Sequence, residues 1–539
     1  MSTAAPVLRR IDGPAAWTRV LRELARDLPP PAGGGGLRHR RVVIPMLVGA
    51  SDLFAVREGL IGHALRMRGA EVTFVVCDGL AACDARTFDN DLPDQCHACR
   101  RRGWENLTAF GHRVVNATAF LDRATATRLW RTARDCPADR IFAFTYAGSD
   151  VGRHVYSSTL RYFRAGGPEW DRPEFVAQAR RYLGAALLMA EAARAAICDL
   201  HADRVFTSHG VYASWGPWAD VATSLGVEPL VYCGGYRRNT LMCAPQARGL
   251  FRPDGLWERV RSQPLTPEEE RELEEYLASR EDNRSDFHRY FDRVDRDLAA
   301  LEERLGIAGR TWRRRLCLFA NVAWDAAEPS SGGVFGSMQR WLVDTAADAA
   351  RYPDCLLLVK AHPAESNFIE PTPERWRTAR VLADHLGGLP DNIRVIPPED
   401  NISTFALYRS LDAGIVNTST VGFELALHGV PVLTSGAGAP YERDGLVLRP
   451  ASRADYFATL QRLRDGTEPF RPDRDLVRRY AHAFFLRAPI PFEPLDVETW
   501  SPVGLAIETL HDLAPGRFPG LDALCDRILL GTEAEGAPA

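Results

Sequence analysis

Leu356–Glu365 reads LLLVKAHPAE, and this decapeptide sets the fold class. Four apolar residues run into Lys360, and a histidine and a proline follow almost at once. A short continuous apolar run bounded by a breaker is the pattern of a strand buried on both faces of a parallel sheet. Pro363 turns the backbone away from the strand direction. Lys360 and His362 put two cationic donors at the carboxyl end of that strand, where open α/β sheets place their ligand crevice. Such donors suit an anionic group such as a nucleotide phosphate. A strand-ending turn carrying surface charge is the plainer reading of the same residues.

A second segment extends the pattern. From Asp412 the chain reads DAGIVNTSTVGFELALHGVPVLTSGAGAPYERDG. Ala413–Val416 reads as a buried strand, Asn417–Thr420 as a polar turn and Val421–Leu427 as a helix closed by Gly429; Pro431–Thr434 reads as the next strand. The helix start at Ser419 and Thr420 is expected to seat a phosphate, and Gly422 to admit a ligand to the first turn. Glu424 is expected to accept hydrogen bonds from ribose hydroxyls. Serine and threonine also cap helices without any ligand. Together the two segments make an α/β chain with strands feeding one sheet.

KAHPAE and NTSTVGFELALHGVPVLTSG resemble the carboxy-terminal half of bacterial capsule polysaccharide biosynthesis proteins, sugar-nucleotide glycosyltransferases of the GT-B type. CLFANVAWD at Cys317–Asp325, the Trp341 region, SHGVYASWGPWAD from Ser208 and RRVVIPMLVGASD are similar too, less specifically. The likeness spans roughly residues 40–500. Where the family often carries arginine, with one residue between it and the HP pair, this chain has Lys360; lysine keeps the charge but loses the bidentate fork. The resemblance implies two Rossmann-like lobes facing a central cleft. It also implies a nucleotide-activated sugar donor held by Lys360, His362, Pro363, Ser419, Thr420, Gly422 and Glu424, and a glycan acceptor. Asn321 and Asp325 are expected to line the donor side, although both residue types also form turns.

The domain reading runs as a flexible segment over 1–37, including the breaker-rich PPPAGGGG, then an acceptor-side lobe over 38–260 with an insertion at 84–135. A charged helical connector follows over 261–312, and a nucleotide-sugar-binding lobe over 313–480. The resemblance implies that helices over 481–539 return to the first lobe, and a disordered tail is expected at the end. Arg140–Tyr146, RIFAFTY, is expected to be a strand. Thr266-Pro267-Glu268-Glu269 spells a helix start with a capping box.

Transfer of a glycosyl group needs a base for the acceptor hydroxyl. Asp52, after the first strand, and His209, after FTS, are the candidates, with His209 preferred. Asp52 also fits a helix cap, and His209 a satisfied core histidine. No D-x-D motif stands at a strand end, so transfer without a metal or other cofactor is expected.

Composition narrows the class. The chain has 539 residues, enough for two cored domains, with 46% hydrophobic and 25% charged residues. A net charge of −4 argues against a nucleic-acid binder. No apolar run reaches membrane-spanning length, and the amino terminus lacks a signal-peptide core. A cytoplasmic protein is expected, with room for peripheral association with membrane export machinery at the inner face. The 11 cysteines form no disulfide-like framework. Cys96-His-Ala-Cys99 fits half of a tetrahedral zinc site, but Cys77 and Cys83 are spaced unlike a zinc knuckle, and four buried thiols are the alternative. Rival activities are a nucleotide-sugar epimerase and an alditol-phosphate transferase; a rival of another class is a non-catalytic nucleotide-binding subunit of an export complex.

Overall fold

The computed structural model describes residues 9–11, 13–28, 40–80, 82–89, 91, 93–282, 286, 289–326, 329, 332–366 and 371–531. The chain divides into two compact units. One comprises Met1–Phe163, Trp170–Phe251 and the chain from Pro489 onward; the other comprises Arg164–Glu169 and Arg252–Ala488.

The second unit holds the deciding decapeptide. Cys355–Lys360 is a strand buried at all six positions, as its unbroken apolar run requires. Five parallel strands stand in the order Ile393–Ile396, Cys355–Lys360, Arg314–Phe319, Ala413–Val416, Val432–Thr434. Numbered along the chain within this unit, that is 3-2-1-4-5, the order of a Rossmann-like sheet. All five strands end in one register row, Ile396–Lys360–Phe319–Val416–Thr434. Leu318, Leu357, Ile393, Ile415 and the fully buried Trp341 fill the core. Trp341 donates its indole N–H to the Tyr456 hydroxyl at 3.1 Å, so this large side chain is buried without an orphaned donor.

The first unit repeats the plan. Its parallel strands run Arg113–Asn116, Glu71–Val76, Arg41–Met46, Arg204–Ser208, Glu228–Gly234, again 3-2-1-4-5. Thr240–Ala244 and Ile490–Pro491 extend that edge antiparallel. The fold class is therefore α/β with two Rossmann-like sheets in one chain.

Several expectations are corrected here. Residues 84–135 are not an insertion: the helix Pro93–Ala109 leads into Arg113–Asn116, which pairs in register with Glu71–Val76. RIFAFTY is no strand; Ala138–Ala143 is a 3₁₀ turn. The segment read as flexible contains the helix Pro14–Leu24, which buries Trp17, Val20 and Leu21. Arg9–Arg10 pairs with Ser501–Leu505. The stretch near the carboxyl end, read as helical, contains the hairpin Leu495–Glu498 and Ser501–Leu505. The PPPAGGGG linker and the tail after Gly531 lie outside the described residues. Among the described residues no helix is long and apolar enough to cross a membrane.

Candidate functional site

In a 3-2-1-4-5 sheet the order reverses between strands 1 and 4, and the loops leaving those two strands part to open a crevice. In the second unit these are the loops after Phe319 and after Val416. Asn321, on the first, donates from Nδ2 to the Thr418 hydroxyl on the second at 3.4 Å. Its Oδ1 is buried with no hydrogen-bond partner, beside a cavity of about 30 Å³ lined also by Trp324, Trp341 and Trp376. An unanswered carbonyl oxygen costs energy until a donor reaches it, so this atom marks the crevice as polar. The fully buried Asn417 donates to the Ser435 hydroxyl at 2.7 Å, fixing the neighbouring loop.

The motif pair expected to act jointly is split by this topology. Lys360 and Val416 flank the Arg314–Phe319 strand, about 10 Å apart at two strand spacings. Lys360 is 5% exposed and donates from Nζ to the Asp400 carbonyl at 3.3 Å. Burial pulls its pKa below the usual lysine value. It is thus a structural cation beside Cys317, and not the ligand-facing donor expected. His362 stands at the start of the Pro363–Glu365 turn, and its Nδ1 accepts from the Ala364 N–H at 3.1 Å. The neutral ring must then carry its proton on Nε2, which makes that atom the donor. The Tyr290 ring meets it edge-on at 5.3 Å.

The helix Val421–Leu427 forms as expected, and its first turn is met by neighbouring side chains. The Ser419 hydroxyl accepts from the Val421 N–H at 3.3 Å, and the Ser419 carbonyl accepts from the Tyr441 hydroxyl. Thr420 accepts from Arg280 Nη2 at 3.3 Å. A Cβ on Gly422 would lie 2.7 Å from the Tyr441 oxygen and 2.8 Å from Val416, so this glycine admits a neighbouring side chain instead of a ligand. Glu424 is committed as well: Oε1 accepts from Arg280 Nε at 3.0 Å and Nη2 at 2.6 Å, and Oε2 accepts from the Tyr408 hydroxyl at 2.7 Å. The ribose role expected of it is replaced by a buried ion pair. Arg280, at the end of a helix to which the sequence assigned no chemistry, was missed. Asp325 is exposed, on the same loop as Asn321.

At the first unit's reversal point the loops leave Met46 and Ser208, and they carry the two candidate bases. Asp52 is already engaged: Arg102 holds both its oxygens, at 2.8 and 2.6 Å, and Asn106 adds a third bond at 3.2 Å. It ties the helix Asp52–Met67 to Pro93–Ala109. His209 is half-buried at φ 54°, beside Gly210 at φ 59°. A left-handed histidine costs energy and recurs where geometry serves a function. Three rings surround it: Phe54 at 5.9 Å, Trp215 at 5.2 Å and Trp500 at 6.5 Å, the last nearly parallel at 18°. Trp500 and Thr499 form the two-residue turn of the carboxy-terminal hairpin, both with positive φ, where asparagine and glycine are usual.

Behind His209 lie residues the sequence reading missed. Its Nδ1 meets the Ser208 hydroxyl; Ser208 is the register partner of Tyr232 on the neighbouring strand, and the Tyr232 hydroxyl donates to Glu58 Oε1 at 2.8 Å. Burial raises Glu58 to about 8. A glutamate inside the otherwise apolar run LFAVREGLIGHAL was the available signal, since a buried acid needs a partner. Cys77, Cys83, Cys96 and Cys99 are free thiols, and among the described residues no three or more His, Cys, Asp or Glu side chains stand ready to hold a metal ion.

No family model matches the chain, and no curated protein does. Solved structures that resemble it include KpsC, the beta Kdo 2,4 transferase of Thermosulfurimonas dismutans, at 16% identity, with 58% of this chain and 87% of that one covered and a TM-score of 0.35. The UDP-GlcNAc 2-epimerase of Neisseria meningitidis, bound to UDP-GlcNAc, matches at 9% identity over 83% and 99%, with a TM-score of 0.26. The glycosyltransferase SnogD of Streptomyces nogalater matches at 13% over 83% and 96%, with a TM-score of 0.25. Likenesses this slight carry no chemistry across; the fold assignment rests on the chain's own strand order.

Proposed function

We propose that the chain is a sugar-nucleotide-dependent glycosyltransferase of the GT-B type, building a surface or capsular polysaccharide or a related glycan. The observation that carries this is the doubled 3-2-1-4-5 order with polar groups at both reversal points. In the second unit, Asn321, Thr418 and the Nε2–H of His362 supply neutral donors and an unsatisfied acceptor for a nucleotide-activated sugar. In the first unit, His209 is the acceptor base, and the faces of Trp215 and Trp500 suit the apolar face of a sugar ring. The KAHPAE and NTSTVGFELALHGVPVLTSG resemblance supports the same reading. Preorganised donors at the departing phosphate would lower the barrier by stabilising developing charge.

The test is direct. Purified protein is titrated with a panel of nucleotide sugars by calorimetry, and turnover is followed as nucleotide release with and without glycan acceptor. Binding of one nucleotide series, weakened at least 10-fold by Asn321→Ala, together with acceptor-dependent release, supports transfer. Release with epimerised sugar and no acceptor would establish the epimerase instead. Binding without release under any condition would establish a non-catalytic subunit.

A further inference from the structure

The tip of the carboxy-terminal hairpin is built against its own preference. Glu498 pairs with Ser501, so Thr499 and Trp500 are the whole turn, at φ 40° and 67°. Left-handed backbone at both central positions suits Asn-Gly. A β-branched threonine and a bulky tryptophan are outliers there. The hairpin is also pinned below the tip. Arg238 donates to the Val497 carbonyl at 2.9 Å and to Asp496 at 2.7 Å. Asn239 donates to Asp496 at 2.9 Å and accepts from the Val497 N–H at 3.0 Å. A strained backbone that its surroundings hold in place points to a use for what it carries. What this turn carries, and does not need for turning, is the Trp500 ring.

The ring's surroundings say what that use is. It lies nearly parallel to the His209 imidazole and keeps 36% of its surface in solvent. His209 is held left-handed as well, and so is Tyr212 after it. Buried Phe54 and Trp215 pack on the same imidazole and on each other, at 5.9 Å. The Arg161 guanidinium, over the Tyr212 ring at 5.6 Å, donates to the Asp84 carbonyl at 3.0 Å. An exposed indole beside a base therefore offers apolar contact in an aromatic setting. The C–H face of a pyranose matches that surface. An acyclic polyol phosphate has no such face and calls for a cationic fork instead. We infer that Trp500 is a specificity-determining residue: its ring seats the terminal pyranose of the acceptor beside His209, and so selects sugar-ended glycans over alditol phosphates. The inference rests on the glycosyltransferase reading and narrows its acceptor.

The test reads the ring directly. The full chain is labelled with fluorotryptophan, and the Trp500 fluorine signal is assigned by its loss in Trp500→Phe. Methyl glucopyranoside and methyl galactopyranoside serve as probes, with glycerol phosphate as the acyclic contrast. At least one pyranoside is expected to shift the signal saturably, and glycerol phosphate at the same concentration to leave it in place. Thr499→Asn combined with Trp500→Gly removes the ring and gives the turn the residues it favours, so the hairpin stays formed. Trp500→Leu keeps an apolar side chain without a ring. Both are expected to raise the KM for glycan acceptor at least about 10-fold with nucleotide affinity unchanged, whereas Trp500→Phe retains most of the wild-type value. A signal that neither pyranoside moves, a signal that glycerol phosphate moves as far, or an acceptor KM unchanged in both ring-less proteins overturns the inference while leaving donor binding intact. Absence of nucleotide binding in the wild type ends the glycosyltransferase reading, and the acceptor role of Trp500 with it, whatever the fluorine signal shows.

Discussion

Glu424 and Arg280 show how a residue chosen for chemistry turns out to serve packing. An acid on an apolar helix face needs a partner, and a nucleotide ribose was one candidate. The structure provides another: the Arg280 side chain is 8% exposed, that of Glu424 5%, and Asp286 and Tyr408 complete the cluster. Arg280 is held well above its ordinary pKa by these neighbours, against the effect of burial. A buried pair adds little over an apolar replacement, yet removing one partner strands the other, a loss of about 3–5 kcal/mol. Arg280→Ala is therefore expected to destabilise the protein by that amount in urea titration, whereas Arg280→Met paired with Glu424→Leu should recover much of it. Equal losses in the single and double variants would show that the pair is not the unit. Gly422 makes a parallel case. Its hydrogen faces Tyr441 and Val416 at distances no Cβ tolerates, so Gly422→Ala should cost about 1–3 kcal/mol by overpacking. A nucleotide affinity lost without loss of stability would restore the ligand-approach reading.

At the scale of elements, the helix Asp52–Met67 is buried along nearly its whole length and carries ionisable groups into the interior. His63 donates from Nε2 to the Phe110 carbonyl at 2.7 Å, just beyond Pro93–Ala109, and the His112 ring lies 4.1 Å away, tilted by 37°. Burial, with Arg66 adding to it, lowers His63 to about 4 and His112 well below its usual value. A histidine with a depressed folded pKa leaves its stabilisation complete above about 6.5 and loses it as pH falls toward the folded value. Between pH 6.5 and 4 the protein should lose roughly 3 kcal/mol from His63 alone, at 1.36 kcal/mol per pH unit. Thermal melts over that range should fall steeply, and His63→Leu should flatten the fall; an equal slope in both proteins would assign acid lability elsewhere. Elements of this kind were legible where periodicity was strong. Ala413–Val416 and Val421–Leu427 match their expected ends, and the Thr266–Glu269 capping box forms as spelled. Arg113–Asn116, at four residues, was too short to show a period, and RIFAFTY looked like a strand because β propensity reports burial as readily as extension.

For the whole molecule, strand order decided what sequence spacing had left open. The motifs identified the two carboxyl-edge loops of the second unit correctly, but a linear sequence does not say which strands are neighbours. Only the sheet shows that Arg314–Phe319 stands between them and that Asn321 therefore reaches the reversal point ahead of Lys360. In the first unit the loops at the reversal point carry His209 and Asp52, and Asp52 is held by Arg102. Ligand binding should thus register first on the loops that leave strands 1 and 4. Hydrogen exchange with and without the nucleotide series that calorimetry identifies is expected to slow at residues 320–322 and 417–420, because a bound phosphate or base accepts from, and shields, those backbone N–H groups. Occupancy at 100 times Kd adds about 2.7 kcal/mol to the folded state, enough to slow local opening roughly 100-fold where opening releases the ligand. Residues 361–363 should follow through His362, while the buried Lys360 amide, paired within the sheet, should change little. Protection centred instead on the helix Arg123–Asp135, whose outer face carries Arg123, Arg128 and Arg131, would move the nucleotide to the other unit and end the assignment of the second as the donor-binding one.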